Sequence, residues 1–151
     1  MKISTALIAS VVAICCLSCS VDTDDTFNDT NNDTKKAAEQ GDVRAQYDLG
    51  EMYTYGDGVS QDDTEAAKWY RKAADQGDAK AQYNLGVMYA NGVGVPKDYV
   101  EAVKWFRKSA DQGYIKAQGY LGHMYDNGYG VPEDDTEAGK WFRKATELRN
   151  K

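Results

Sequence analysis

One stretch is written three times along this chain, and it leaves few folds open. Residues 45–59 read A-Q-Y-D-L-G-E-M-Y-T-Y-G-D-G-V, residues 81–95 read A-Q-Y-N-L-G-V-M-Y-A-N-G-V-G-V, and residues 117–131 read A-Q-G-Y-L-G-H-M-Y-D-N-G-Y-G-V. Gly41, Gly77 and Gly113 keep the same 36-residue spacing, as do Trp69, Trp105 and Trp141. A fixed period of this size marks a stacked array, in which one unit cannot bury its own apolar face and several together make a continuous core.

Each unit is predicted to be a pair of helices. Helix A runs from about residue 43 to 55 and begins again at Ala79 and Ile115. Its apolar stripe, Ala45, Leu49, Met52 and Tyr53, has helical spacing. Gly50, Gly86 and Gly122 fall in mid-helix, where glycine costs about 1 kcal/mol against alanine. Their recurrence predicts a close helix–helix approach that a Cβ would block. Helix A ends at Gly56, Gly92 and Gly128. Helix B opens with a capping-box-like D-x-x-E at Asp62/Glu65, Asp98/Glu101 and Asp134/Glu137. It buries Ala66, Trp69, Tyr70 and Ala73, with equivalents in the other copies, and the first two copies stop at Gln-Gly. Residues 35–41 match the tail of helix B at 71–77, so half a helix B is expected to cover the first helix A. The expectation is an all-α domain over 35–151, with repeats at about 38–73, 74–109 and 110–145 plus an N-terminal half-helix.

The remaining N-terminal residues have a different composition. Residues 1–20 carry one lysine (Lys2), an apolar run over 3–17 broken only by Ser and Thr, and small residues at the end. This is an export signal by pattern, too short for a membrane span. Two cleavage readings stand. A cut after Ser20 releases the chain. A cut before Cys19, resembling a bacterial lipoprotein signal, makes Cys19 the lipidated residue. The expected location is the periplasm or the outer membrane as a lipoprotein, and otherwise secretion. Cys15, Cys16 and Cys19 are the only cysteines, so the repeats hold no disulfide. Residues 21–34 contain five Asp and one large apolar side chain, Phe27. Such a segment has little surface to bury against its ordering entropy, and a disordered acidic tether is expected. Asp29, Asn31 and Asp33 have the opening spacing of a calcium loop. Thr34, however, stands where the turn needs Gly, and Gln40 where a bidentate Glu belongs.

The consensus A-x-Y-x-L-G-x-M-Y-x-x-G-x-G-V-x-x-D-x-x-E-A-x-K-W-x-R-K-A-A, running over about residues 35–147, resembles the Sel-one-like repeat family, a relative of the tetratricopeptide repeat. The resemblance implies a right-handed α-solenoid and a non-catalytic role as adaptor or scaffold in protein complexes, often exported in bacteria. A disulfide-rich branch of the family is linked to β-lactam binding or hydrolysis. The repeats here lack its paired cysteines, so a β-lactam or cell-wall-fragment ligand stands as the alternative. This chain departs from the pattern at Gly119, which replaces the Tyr of Tyr47 and Tyr83 and is followed by Tyr120. It departs again at Gly139, where Ala67 and Val103 stand earlier. Both changes are expected to loosen repeat three.

In two-helix solenoids helix A lines the inner curve. On a wheel of about 100° per residue, Tyr47, Asp48, Glu51 and Tyr55 fall within roughly 60° of Arg44. The matching sets are Lys80, Tyr83, Asn84, Val87 and Asn91, then Lys116, Tyr120, His123 and Asn127. The first position is always basic and the rest vary, as a recognition face for another protein or peptide would. No cofactor or metal is expected: His123 is the only histidine, and no cysteine lies near it. Ser109, at a position otherwise Ala, reads as a small packing residue rather than a nucleophile. The net charge of −6 and pI near 4.8 argue against nucleic acid, whose phosphates demand cations. Membrane contact is expected only through a lipid anchor. The uncovered last helix B suits weak end-to-end self-association.

Overall fold

The computed structural model describes the backbone of residues 23–149 and the side chains of residues 31–147. Cys19 and the export signal lie outside these residues. Among the described residues there are seven α-helices and no strand: α1 Thr23–Glu39, α2 Val43–Tyr55, α3 Asp63–Asp75, α4 Ala79–Asn91, α5 Tyr99–Asp111, α6 Ile115–Asp126 and α7 Asp135–Arg149. Each helix packs on its chain neighbours, most extensively within the A/B pairs α2–α3, α4–α5 and α6–α7. The result is the α-solenoid expected from the repeat.

The local signals act as their chemistry requires, with one refinement. Asp42 and Asp78 cap α2 and α4 by accepting from the N–H groups of Ala45 and Ala81, each at 2.7 Å. Gly56 closes α2 in the left-handed region at φ 71°, and Gly92 closes α4 at φ 73°. Asp62, Asp98 and Asp134 cap the B helices by accepting from Glu65, Glu101 and Glu137 N–H at 3.1, 3.0 and 3.0 Å. The reciprocal half of the capping box is not formed. The N–H of each capping Asp donates instead to the carbonyl of Tyr53, Tyr89 or Tyr125 in the preceding A helix. Each glutamate is therefore free to pair with a lysine one turn on, Lys68, Lys104 or Lys140.

The mid-helix glycines allow the approach the sequence predicts. A Cβ on Gly50 would lie 2.7 Å from the Tyr70 ring, on Gly86 2.8 Å from Phe106, and on Gly122 2.7 Å from Phe142. The core is a series of like clusters. Leu49 and Trp69 pack with Ala38 of α1. Leu85 and Trp105 pack with Ala73 and Ala74 of α3. Leu121 and Trp141 pack with Ala110 of α5. A polar seam joins them. Buried Gln46, Gln82 and Gln118 donate to the carbonyls of Ala38, Ala74 and Ala110 at 3.1, 3.0 and 3.2 Å. Gln76 and Gln112 then donate to the Oε1 of Gln46 and Gln82 at 2.7 and 2.8 Å. Gln118 Oε1 is buried with no partner among the described residues. Position 148, in register with Gln76 and Gln112, is a leucine with no donor to offer.

One expectation needs correcting. The acidic segment assigned as a disordered tether is helical from Thr23, so the front of the array is a 17-residue helix rather than half of one. Docking of the tail that matches the repeat pattern explains this. Ala38 is buried against α2, which supplies the nucleus, and each further residue then adds a hydrogen bond without a new nucleation cost.

Candidate functional site

The A helices place the variable residues along one face, and that face is hollowed. A groove of about 420 Å³ crosses the three repeats. It brings together Tyr47, Glu51, Tyr55, Tyr83, Asn84, Val87, Asn91 and Lys116, all predicted from the helical wheel. A second hollow of about 620 Å³ adjoins it at Tyr83 and Lys116 and is lined further by Ile115, Gly119, Tyr120, His123, Ala145 and Thr146. Asp48 lies apart, in a hollow with Glu51, Tyr55, Met52 and Asp57 at the front edge. Arg44 lines none of these; its guanidinium pairs with Asp48 at 3.7 Å in solvent. The Lys80 ammonium lies 5.9 Å from the centre of the Tyr47 ring. Asn127 also stands outside the hollows, with its amide 3.0 Å from His123 Nδ1.

The groove has an aromatic floor carried on helix B. The Tyr47 ring lies 5.7 Å from Tyr70, and Tyr83 lies 6.0 Å from Phe106. Tyr47 donates to Glu51 at 2.7 Å. Burial holds the Tyr47 hydroxyl above its usual range, and the Glu51 hydrogen bond and charge add to that. Burial likewise pushes Tyr70 up to about 12, and burial together with neighbouring Tyr120 pushes Tyr83 up to about 12. These phenols stay protonated at neutral pH, so they act as hydrogen-bonding and stacking surfaces. Burial also raises the Asp48 carboxyl, with Arg44 opposing.

Wheel reasoning on the A helices missed Thr54, which is on α2 but outside the predicted arc, and the residues that reach the groove from elsewhere. Thr54, Asp63, Tyr70, Val93 and Tyr114 line the first hollow, and Ala145 and Thr146 line the second. Only Tyr114 had a readable signal. It breaks the Gly-Asp pattern of Asp42 and Asp78, makes no side-chain cap, and sets its ring 5.3 Å from Tyr83.

Two other features of the sequence resolve as structure. Ser109 is fully buried and donates to the Ala79 carbonyl at 2.6 Å, so it joins the packing between α5 and α4. Most cations along the B helices are engaged locally. Lys68, Lys104 and Lys140 pair with glutamates, and Lys72, Lys108 and Lys144 sit 3.6, 4.0 and 4.1 Å from the centres of the Trp69, Trp105 and Trp141 rings. Arg71 and Arg107 donate to the Tyr89 and Tyr125 hydroxyls. No His/Cys/Asp/Glu group among the described residues could hold a metal ion, and no helix among them is long and apolar enough to cross a membrane.

A stack of helical pairs with a grooved, variable face and a constant core defines an α-solenoid. Residues 34–42, 43–78, 79–114 and 115–150 match the Sel1 repeat, and the chain belongs to that family. It is similar to the crystal structure of a protective antigen present in uropathogenic Escherichia coli strains, at 48% identity and a TM-score of 0.75. That match covers 76% of this chain and 25% of the antigen, so the chain spans a quarter of that relative's length. A Sel1 repeat protein from Oxalobacter formigenes matches at 43% identity and a TM-score of 0.71, covering 77% of this chain and 87% of that one. Helicobacter pylori cysteine rich protein B matches at 28% identity and 0.60, covering 78% and 90%. No curated protein matches the chain. Sel1 repeats generally mediate protein–protein interaction, and the family is generally non-catalytic.

Proposed function

We propose that this protein is a non-catalytic adaptor that holds an extended polypeptide segment of a partner along the A-helix face, in the bacterial cell envelope. One observation carries the reading: most of the residues that differ between repeats line two adjoining hollows on the A-helix face, while Leu49, Leu85, Leu121 and the three tryptophans that recur are buried as scaffold. Exposed Tyr faces with Asn84, Asn91 and Glu51 between them offer both stacking and backbone hydrogen bonds, which suits a peptide main chain. Arg44, Lys80 and Lys116 add one cation per repeat at constant spacing. The export signal and Cys19 supply the envelope assignment, with the lipid as the membrane attachment. The similarity to an Escherichia coli antigen fits an exported protein. Weak end-to-end pairing through α7 belongs to the same reading.

Panning a random peptide library on the purified chain tests the groove. Binders are expected, and R44E/K80E/K116E is expected to lose most of them. If the library returns no binder, or the triple variant retains the same set, this face is not the recognition surface. Mass spectrometry of the mature N-terminus tests the envelope assignment: a diacylated Cys19 is expected, and an unprocessed Met1 would refute it. Sedimentation at high concentration tests end-to-end pairing, which a strict monomer excludes.

A further inference from the structure

Repeat three lacks a part that the other two contain, and the place for it is open. In repeats one and two a helix-A tyrosine lies against the helix-B ring of the same repeat, Tyr47 on Tyr70 and Tyr83 on Phe106. The third tyrosine is Gly119, and a Cβ built there meets nothing within 4 Å. Its ring partner, Phe142, is 40% exposed, whereas Tyr70 and Phe106 are 3% and 0% exposed. The aromatic one place later does not fill the gap. Tyr120 leans back onto repeat two, 5.5 Å from Tyr83 and 5.3 Å from Phe106. A hollow of about 620 Å³ has Gly119 in its wall and meets α7 at Ala145 and Thr146, one turn away from Phe142.

Lys116 also has no acid four residues on, as is true of Lys80 before Asn84 in repeat two. Arg44 pairs with Asp48 four residues on. At the corresponding place after Lys116 stands Tyr120, and Lys116 makes no ion pair among the described residues. Lys116 borders both hollows, and the residues lining the Gly119 hollow include no carboxylate. A vacant aromatic position beside an unneutralised ammonium calls for a ring with a carboxylate near it.

We infer that the hollow at Gly119 is a socket for one aromatic side chain of a bound polypeptide, and that an acidic residue next to that aromatic pairs with Lys116. The inference rests on the groove reading and makes it specific: the partner segment completes repeat three by supplying the ring that Gly119 lacks. Tyr83 and Tyr120 form one wall of the socket, and Ala145 and Thr146 of α7 form the other.

The test titrates the purified, isotopically labelled chain with the capped tripeptide Asp-Tyr-Asp, beside Asp-Ala-Asp as control, and follows backbone amide shifts. The tyrosine peptide is expected to shift Gly119, Tyr120 and His123 saturably, and the alanine peptide is not. G119Y supplies the ring from the chain itself and is expected to weaken the tyrosine peptide at least about tenfold. G119A adds only a methyl group and is expected to keep the binding, which separates filling of the socket from any general effect of losing glycine. K116M is expected to weaken binding several-fold. Saturable shifts that persist in G119Y, or no saturable shift at these residues, overturn the socket. Either outcome leaves the groove to the library panning: binders indifferent to G119Y keep the groove without the socket, and an empty panning removes the groove reading itself.

Discussion

Tyr47 and Tyr83 each lie against a buried ring of their own repeat, and at the same place in repeat three there is a glycine beside a half-open one. The difference runs through other positions. Asp42 and Asp78 cap α2 and α4, but Tyr114 stands before α6 and turns its ring to Tyr83. Gln46 and Gln82 have both ends of their amides engaged, but Gln118 Oε1 has no partner among the described residues. The path of the chain is nevertheless the same in all three, because Leu121, Gly122, Met124 and Trp141 keep the places of their counterparts. In a nearly one-dimensional array each unit needs only its neighbours. One repeat can thus give up packing on one face without unwinding the rest.

The largest expected contrast lies between equivalent rings. Phe106→Ala removes a fully buried ring and is expected to cost about 3–5 kcal/mol in denaturant unfolding, whereas Phe142→Ala is expected to cost less than half of that. Equal losses would mean that repeat three is as closed as repeat two. The next contrast is one of sign. Gly86→Ala sets a Cβ 2.8 Å from the Phe106 ring, which has nowhere to move, and overpacking of this kind costs about 1–3 kcal/mol. Gly119→Ala meets open space in mid-helix and is expected to stabilise by about 0.5–1 kcal/mol. Matched melting curves of the two variants decide this, and shifts in the same direction would break the comparison.

Much of this architecture could be read directly from the chain. The 36-residue period, the glycine stops and the Asp caps place α2 to α6 without the structure, because each signal acts within a few residues of itself. The wheel on helix A also finds most of the groove, since side chains on one helix share a face by geometry alone. Part of what it misses, Thr54 and Gly119 included, lies on the A helices outside the arc of the wheel, and the rest comes from other elements. Tyr70 and Asp63 belong to α3, and Thr146 to α7, and only the packing of B against A brings them to the groove. The glutamine seam was likewise hidden: Gln46 sits beside the apolar stripe and reads as polar surface until Ala38 and Gln76 are seen to take both ends of its amide. The helical residues from Thr23 were misread for a related reason. Their composition favours disorder, and the contact that seeds the helix lies further along, at Ala38.

A smaller effect separates the repeats in alkali. Tyrosines in the unfolded chain ionise near the ordinary value of 10.0, while Tyr70 and Tyr83 hold their protons to about 12. The folded state therefore binds more protons in that window. Its stability is full below pH 10 and falls as pH rises from 10 to 12. Gly119 and Phe142 occupy the equivalent places in repeat three, so the loss is expected to begin in repeats one and two. Hydrogen exchange against pH reads where opening starts, and Tyr70→Phe should reduce the slope. Phenylalanine already stands at this position in the other two repeats. A slope unchanged by that substitution would place the alkaline loss elsewhere.

The smallest expected effect on stability bears most directly on the socket. Tyr114→Asp restores the cap that α2 and α4 have, worth about 1 kcal/mol, and removes a ring packed 5.3 Å from Tyr83, worth about 0.5–1.5 kcal/mol. The two terms nearly cancel, so the melting temperature is expected to stay close to that of the natural chain. Binding is not expected to stay the same, because Tyr114 lines the groove and supports Tyr83, which forms a wall of both hollows. Weaker uptake of the tyrosine peptide at unchanged stability would show that repeat three exchanged a helix cap for a contact surface. A large drop in melting temperature would show instead that Tyr114 belongs to the core, and that the departures in repeat three reflect packing rather than recognition.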